Sequence, residues 1–520
     1  MFRPIAGAAL AIATAWSSAA FAQQTLTIAI SGEIETLDPP FSQFQRSNEV
    51  NYNVLDQFFR YGWADTGKGY ALADTAKVEG SAFESWTWSG DNKVLTLKMR
   101  KDAKFTASGK PVTADDVLYW VERARGTKAG TDWNVNTAHI ENVKAIDAST
   151  VEITFSQASP WFFALFRDQS QAPIEAAVAK EHHTADDPWA AKWLSKNSPG
   201  SGEYSVAEWQ PGVEMRLAAN PSYWDGKAFF DNVVLKTVPS SANRALLLKN
   251  GEVDIARDLS NDEINLLRDA PGVKIVSVPT RNQMLFGFNT TQAPFDNAKV
   301  RQALAWAVPY DDIVAGLFAG AGHASKGPIP VEGQGHDSAL WTVSTNIDKA
   351  KQLLAEAGHP NGFAFTLDID DGNPTAQQIA VVLKDAFSKA GVDMTINVQP
   401  ASVFAEGLGK LSHQAWMRDL LWYVDDAGYT GELFFKTKAV ANWMGYSNPK
   451  LDETITKLGV AVDPAERKAL AADYQKILIE DMPTIAIVDM PFEIAMRDNI
   501  EGYVQLPDNL LWYWPLKRAQ

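Results

Sequence analysis

Two adjacent carboxylates, Asp425 and Asp426, close an apolar run that starts at Arg418 and passes through Leu420, Leu421, Trp422, Tyr423 and Val424. Read as a strand, period two puts Leu420, Trp422 and Val424 on one face and Leu421, Tyr423 and Asp425 on the other. A carboxylate at the end of a buried strand needs a cation, because desolvating it alone is expensive. Two sources fit: a protein arginine, such as Arg418, or a positive group carried in by a ligand. A surface turn after a core strand is the third reading. Trp422 beside Asp425 adds an aromatic face on which a ligand ring can stack or an aliphatic chain can pack.

Other chemistries find less support. The seven histidines are scattered, and only His182-His183 with Asp186 and Asp187 resembles a metal cluster; adjacent side chains of this kind more often decorate a solvated loop. There is no G-x-S-x-G elbow, H-E-x-x-H motif, phosphate-cradling lysine loop or dinucleotide fingerprint. Gly200-Ser201-Gly202 lacks the lysine and following hydroxyl that phosphate chemistry needs. Carboxylates are too numerous for a spaced pair to mark a glycosidase. A secreted hydrolase is therefore a remote alternative, and no catalytic residue, metal or cofactor is assigned.

The elements that would position these residues alternate in type. Strands are expected at Leu26–Ile30, Leu95–Met99, Val151–Phe155, Val233–Val238, Phe363–Leu367, Val392–Val398 and Thr484–Val488. Thr113 is a good N-cap for a helix over Ala114–Ala124, with Asp115 and Asp116 in its positive first turn. Further helices are expected over Asn48–Phe59, Ala298–Ala307, Tyr310–Phe318, Lys349–Ala357, Thr375–Ala390, Leu451–Leu458 and Pro464–Glu480. This rhythm indicates α/β units with a mixed or partly parallel sheet. A composition shift at Pro271–Pro279 reads as a crossing into a second lobe, with a return near 490, so an inter-lobe cleft is the expected ligand site.

Composition narrows the setting. At 520 residues, two or three domains are expected, and 46% apolar content can build their cores. A formal charge of -16 disfavours nucleic acid and anionic membranes as partners and suits a soluble monomer. Residues 1–22 read as a secretory signal, with Arg3, the apolar run Ile5–Ala15 and Ala20-Phe21-Ala22 as the cleavage site, which places the mature chain in the periplasm. With no cysteine, disulfides, thiol catalysis and a lipidated N-terminal cysteine are all excluded.

Ordered motifs then point to one family. Ala82 to Ala124 resembles the signature of family 5 extracellular solute-binding proteins, the peptide, nickel and opine receptors of ABC importers. The matching parts are Glu84-Ser-Trp86, Leu95 to Arg100, Lys104-Phe105, Gly109 to Tyr119 and Glu122-Arg123. The likeness continues in Gly200 to Tyr204, Asn220 to Trp224, Gly251 to Ile255, Phe288-Asn289, Pro294 to Asp296, Val300 to Ala303, Tyr446 to Asp452 and Glu501-Gly-Tyr503, so it covers the whole mature chain.

The resemblance implies an α/β, two-lobed periplasmic binding protein-like fold with mixed sheets and an extra subdomain in the first lobe. Residues 23–56, 190–280 and 490–520 would form the base of the first lobe, 57–189 its extra subdomain and 281–489 the second lobe. The implied partners are a small-molecule or short-peptide ligand and the permease subunits of an ABC transporter. In the peptide receptors, an aspartate in a W-x-x-D segment pairs with the ligand α-amino group, and Trp422-Tyr-Val-Asp425 matches it. Asp425 is thus the expected ammonium partner and Trp422 the cleft wall. Arg418 lies where an arginine can face the ligand carboxylate, although its spacing differs by one residue. Phe44, Gln45 and Arg46 match the loop bordering the peptide, and Tyr423, Asp426 and Tyr429 complete the candidate ligand-binding set. Two departures stand out: Ala427-Gly428-Tyr429 follows the aspartates where family members often have proline, and Glu203 replaces the usual proline before Tyr204. An oligosaccharide, opine or other non-peptide ligand therefore remains the alternative.

Overall fold

The computed structural model describes residues 23–42 and 44–519, so the expected leader over 1–22 lies outside the described residues. Its organising feature is one mixed sheet of eleven strands. In chain order its principal strands are β1 (Thr25–Ile30), β2 (Tyr204–Gln210), β3 (Glu214–Ala219), β4 (Asn232–Thr237) and β5 (Ile255–Ala256). They are followed by β6 (Val273–Phe288), β7 (Ala364–Asp370), β8 (Asp393–Gln399), β9 (Ala415–Leu421) and β10 (Thr484–Arg497). Across the sheet the order is β8-β7-β9-β6-β10-β5-β1-β4-β3-β2, and the short strand His323–Ala324 pairs with β10 off this path.

β6 and β10 do the joining. Around 280 and 490, where crossings between lobes are expected, the chain stays in extended structure. These antiparallel strands of 16 and 14 residues run through both halves, one half of each strand in each core. Val276, Val278, Ile494 and Met496 pack in one cluster with Leu26, Ile28, Leu217, Val233 and Leu235. Met284, Phe286, Phe288, Ile485 and Ile487 pack in another with Leu367, Ile379, Leu383 and Met417. Between them the register shifts, from Pro279 opposite Pro491 to Asn282 opposite Met490. A proline offers no N–H to a ladder, so facing prolines leave this point the least hydrogen-bonded of the ribbon.

A separate four-stranded sheet, Phe83–Trp88, Val94–Met99, Ile140–Asp147 and Thr150–Phe155, is covered by the helix Ala114–Thr127. That helix starts where expected, with the Asp116 carboxylate accepting from Thr113 N at 2.9 Å. Phe58, Phe59, Phe83, Trp120, Phe155, Phe162 and Phe166 fill its core. A hairpin over Phe59–Asp65 and Ala71–Gly80, which the sequence pattern did not reveal, leads into this unit.

The C-terminal segment completes the first core. Tyr513 N donates to Asn53 Oδ1 at 2.8 Å, its phenol donates to Glu49 Oε1 at 2.9 Å, and Arg257 pairs with Glu49 at 2.9 Å. Trp512 Nε1 donates to Glu203 Oε1 at 3.0 Å. Glu203 therefore stands in the proline position as an indole acceptor. Burial, with the nearby Asp56 charge, pushes its carboxyl up to about 8.

Candidate functional site

β9 pairs with β6 so that Arg418 faces Leu285 and Leu421 faces Asn282. The strand ends at Leu421, earlier than the alternation suggests. Trp422 N then donates to Arg281 O at 3.1 Å, and Arg281 Nε donates back to Trp422 O at 3.2 Å. These two bonds fix the start of the 422–429 segment beside the register shift in β6.

Asp425 finds its cation there. Its Oδ2 lies 3.5 Å from Arg281 Nη1, and its Oδ1 accepts from Gln334 N at 2.7 Å, with the Asp425 side chain 9% exposed. Of the two cation sources left open by the sequence, Arg418 is not the partner: it lies over the Trp443 ring at 4.6 Å, with Asp419 and Asp370 as the charges it feels. Arg281 escaped sequence reasoning because it is remote in the chain and carries no motif. Burial raises the Asp425 carboxyl; Arg281 and the Gln334 amide oppose this, while Asp426 and Glu332 add to it. At 3.5 Å the Arg281 contact is longer than the ~2.7–2.9 Å of a charge-assisted hydrogen bond. An ionised carboxylate has about four acceptor positions, so this one retains capacity for a further donor.

Asp426 does something different. Its Oδ1 accepts from Gly428 N at 2.8 Å, Tyr429 N at 3.1 Å and Trp161 Nε1 at 2.8 Å, while Oδ2 pairs with Arg467. Both oxygens are engaged by protein groups, so the ligand-contact expectation for Asp426 is corrected to a cap and latch. Tyr429 packs edge-on to Trp161 at 5.8 Å, and the Tyr423 and Tyr429 hydroxyls are hydrogen-bonded to each other. Val424 and Tyr429 enter the core built around Phe58, Phe83 and Phe162. The segment thus leaves its own lobe and plugs into the four-stranded unit. A Cβ on Gly428 would lie 2.5 Å from Leu458 Cβ and 3.1 Å from Trp161 Cζ2, which explains the glycine where proline is often found.

Trp422 is also repositioned. It is 2% exposed and packs among Leu285, Trp416, Phe435 and Leu451, so it braces the segment from behind and does not form an open cleft wall. Leu420 shares that core, whereas Val424 does not, because the strand has ended between them.

The first-lobe side is carried by the helix Gln45–Val54 and the chain before it. Phe44 is 49% exposed and lies 4.2 Å beneath the Arg46 guanidinium. Gln45 Nε2 donates to Asp508 O at 2.6 Å, and the Asp508 carboxylate receives Arg167 Nη1 at 2.8 Å. Tyr61 lies against Arg167, its ring 5.1 Å from the guanidinium carbon, and it also feels the charges of Arg281 and Asp425. Gln45 therefore connects through Asp508, Arg167 and Tyr61 to the Asp425 neighbourhood, whereas Phe44 has Arg46 as its ring contact. A small pocket of about 100 Å³ opens at this seam, lined by Arg281, Glu332, Leu72, Gln505, Pro507 and Asn509.

The histidine cluster has ordinary partners: His182 stacks on Trp193 at 4.0 Å, His183 bonds the Tyr119 hydroxyl at 2.9 Å, and Asp186 pairs with Lys192. Among the described residues no group of three or more His, Cys, Asp or Glu side chains could hold a metal ion. Nor is any described helix long and apolar enough to cross a membrane.

Comparison with known proteins agrees with this architecture. The sequence profile of the bacterial extracellular solute-binding proteins, family 5 (middle region), matches residues 77–442. The chain is 28% identical over 516 residues to the probable D,D-dipeptide-binding periplasmic protein DdpA of Escherichia coli (strain K12), covering 97% of this chain and 96% of that one. It is 26% identical over 514 residues to the glutathione-binding protein GsiB of the same strain, covering 96% of each. Among solved structures, the ABC transporter-associated periplasmic binding protein DppA of Helicobacter pylori, in complex with the peptide STSA, superposes with a TM-score of 0.81. Its sequence is 22% identical, and the match covers 96% of this chain and 99% of that one. Two lobes with mixed sheets are common to both.

Proposed function

Because the chain belongs to the bacterial extracellular solute-binding proteins, family 5, we propose that it is the periplasmic receptor of an ABC importer. It captures a small amino-bearing ligand, a short peptide or amino acid derivative, between its lobes and delivers it to a membrane permease. The observation that carries the ligand class is Asp425, a mostly buried carboxylate at the inter-lobe seam whose only cationic partner among the described residues is held at 3.5 Å. A ligand ammonium supplies the shorter, charge-assisted bond that Arg281 does not. The names of the relatives, one for D,D-dipeptides and one for glutathione, support the same class.

In this reading residues 1–22 are a leader removed after Ala22, and the mature chain acts as a monomer. Residues 23–56, 190–280 and 490–520 form the base of the first lobe, 57–189 its extra subdomain and 281–489 the second lobe. Ligand contacts to both sides favour the closed state, in which the 422–429 segment engages Trp161, and the permease reads that state. No covalent step is involved. Calorimetry with dipeptides and their N-acetylated counterparts tests this directly. Free-amino peptides should bind and acetylated ones lose most of their affinity; equal binding would remove Asp425 from the role. Native mass spectrometry that found an oligosaccharide or opine copurifying would replace the peptide class.

A further inference from the structure

Asp489, on β10, is 2% exposed, and no lysine or arginine pairs with it among the described residues. Desolvating a carboxylate without such a partner is expensive. Three hydrogen-bond donors hold it instead: Oδ1 accepts from Gln283 Nε2 at 2.9 Å and from the Ser325 hydroxyl, and Oδ2 accepts from Val331 N at 2.6 Å. Burial raises its carboxyl, and these donors oppose that. Gln283 stands opposite Asp489 in the β6–β10 ladder, next to the register shift. Ser325 and Val331 belong to the loop 325–336, which follows the short strand His323–Ala324. The far end of that loop is pinned separately. Gln475, fully buried in the helix Pro464–Asp481, donates to Gly335 O at 2.8 Å and accepts from Asp337 N at 3.2 Å. Within the loop, His336 Nδ1 donates to Ile329 O at 2.9 Å and Gly333 N to Pro330 O at 2.8 Å. Between the two anchors, Gln334 N reaches Asp425 Oδ1 at 2.7 Å.

We propose that Asp489 is a positioning residue for ligand recognition: it fixes the loop 325–336 so that the Gln334 N–H is aimed at Asp425, and so sets the direction in which that carboxylate meets a ligand ammonium. The inference rests on Asp425 as the ammonium partner and deepens that reading by naming what orients it. A binding group is held in productive geometry by neighbours whose own positions are locked by packing and hydrogen bonds. The Gln334 amide on Oδ1 and Arg281 on Oδ2 are those neighbours for Asp425. Without the amide, the carboxylate follows Arg281 alone, and a charge-assisted bond to the ligand loses the short, aligned contact it needs. A carboxylate suits the anchor better than an amide does. Its two oxygens accept from three donors at once, whereas an asparagine turns an NH2 group towards one of them. Because Asp489 lies two residues before Pro491, the same side chain ties the loop to the ribbon that joins the two lobes.

The test compares wild type, D489N and S325A as full mature chains, using a mixed dipeptide library with free or N-acetylated amino termini. Native mass spectrometry reads the preference between the two forms, and calorimetry with the tightest free-amino member reads affinity. D489N should bind that dipeptide about tenfold more weakly, the scale of one misplaced hydrogen bond, and its preference for free-amino over acetylated peptides should shrink in step. S325A, which removes one anchor, should lie between wild type and D489N. In a D425N background, D489N should change affinity by less than about twofold, because residues that act through one another are not additive. Without any ligand, hydrogen exchange over residues 331–336 should speed up in D489N. An equal loss in both backgrounds, an unchanged amine preference or unchanged exchange over 331–336 would overturn the positioning role and leave Asp425 as the amine partner. A merely structural Asp489 predicts the first two of these. If D489N does not fold, S325A carries the same readouts. Equal binding of free-amino and acetylated peptides by wild type, or binding of neither, would overturn the Asp425 reading and this inference with it.

Discussion

Trp161 donates its indole N–H to Asp426 at 2.8 Å, joining the four-stranded unit of the first lobe to the segment that follows β9 of the second. The same carboxylate caps the turn at Ala427–Thr430 and meets Arg467, so one side chain couples local structure to lobe closure. Trp161→Phe removes the N–H and keeps an aromatic, though smaller, side chain. A hydrogen bond to a charged group contributes about 1.5–3 kcal/mol, and this one exists only with the lobes together. The expected result is weaker ligand binding of that order with little change in thermal stability of the separate cores. Small-angle scattering should show a larger fraction of extended molecules at subsaturating ligand. A scattering curve and affinity identical to wild type would remove the latch role.

Gly428→Ala should act on the same contact from the other side. The added methyl meets Leu458 Cβ at 2.5 Å, closer than real Cβ contacts occur, and crowds Trp161 Cζ2 across the seam at 3.1 Å, so seating the segment against Trp161 costs repacking, typically about 1–3 kcal/mol. Affinity should fall through a faster off-rate, measurable by stopped-flow fluorescence of the tryptophans. A faster on-rate with an unchanged off-rate would contradict it.

Asp425→Asn keeps the size of the side chain and its amide contact with Gln334 while removing the charge. Leaving a ligand ammonium buried and poorly paired costs about 2–5 kcal/mol, and calorimetry with a free-amino peptide should show that loss. A purely structural Asp425–Arg281 pair predicts lower stability with affinity intact, which is the outcome that would reject the ligand role.

Glu203 gives stability a pH dependence. Its folded pKa of about 8 stands above the ordinary glutamate value of 4.5 because burial disfavours the charged form. Its contribution is therefore intact below about 4.5 and is lost as pH rises towards and through 8. Glu203→Gln keeps an acceptor for Trp512 and removes the titration. The variant should be the more stable protein at pH 8–9, by a few kcal/mol at roughly 1.4 kcal/mol per pH unit. Urea melts at several pH values check this, and parallel pH profiles for the two proteins would exclude it.

His413 titrates in the second lobe with the same sign. Burial opposes its charge, but hydrogen bonds to Asp368 and to the Phe404 carbonyl, each at 3.0 Å, outweigh burial and raise its pKa. Its stabilisation is complete below the unfolded value of about 6.5 and disappears as pH rises through the folded one. His413→Asn should lower stability at pH 5–6 and remove the fall between pH 6 and 8 in urea melts. If the fall persists in the variant, another group causes it.

Local pattern carried much of the fold. Ala298–Ala307 is helical over the expected residues, and Thr113 starts its helix, because apolar stripes and caps act within a few residues. Val151 to Phe155 and Val233 to Thr237 form strands for the same reason. Long partners were less visible. β6 runs from Val273, through a stretch that composition marked as a boundary, because β10 supplies its ladder from two hundred residues away. The site shows the same division. The Trp422-to-Asp425 motif located the segment, yet Arg281 and Trp161 come from distant elements with nothing in their neighbours to announce them. Trp422 itself was misplaced because alternation cannot say where a strand stops.

The first core is completed by residues 511–513, far along the chain from the side chains they meet. Glu49 and Asn53 have their hydrogen-bond partners at 511 and 513, and Glu203 has its own at 512. A chain arranged this way cannot finish its first core before residues 511–513 are in place, since Glu49, Asn53 and Glu203 are buried and take hydrogen-bond partners there. Removing residues 511–513 should therefore be more damaging than the length of the deletion suggests.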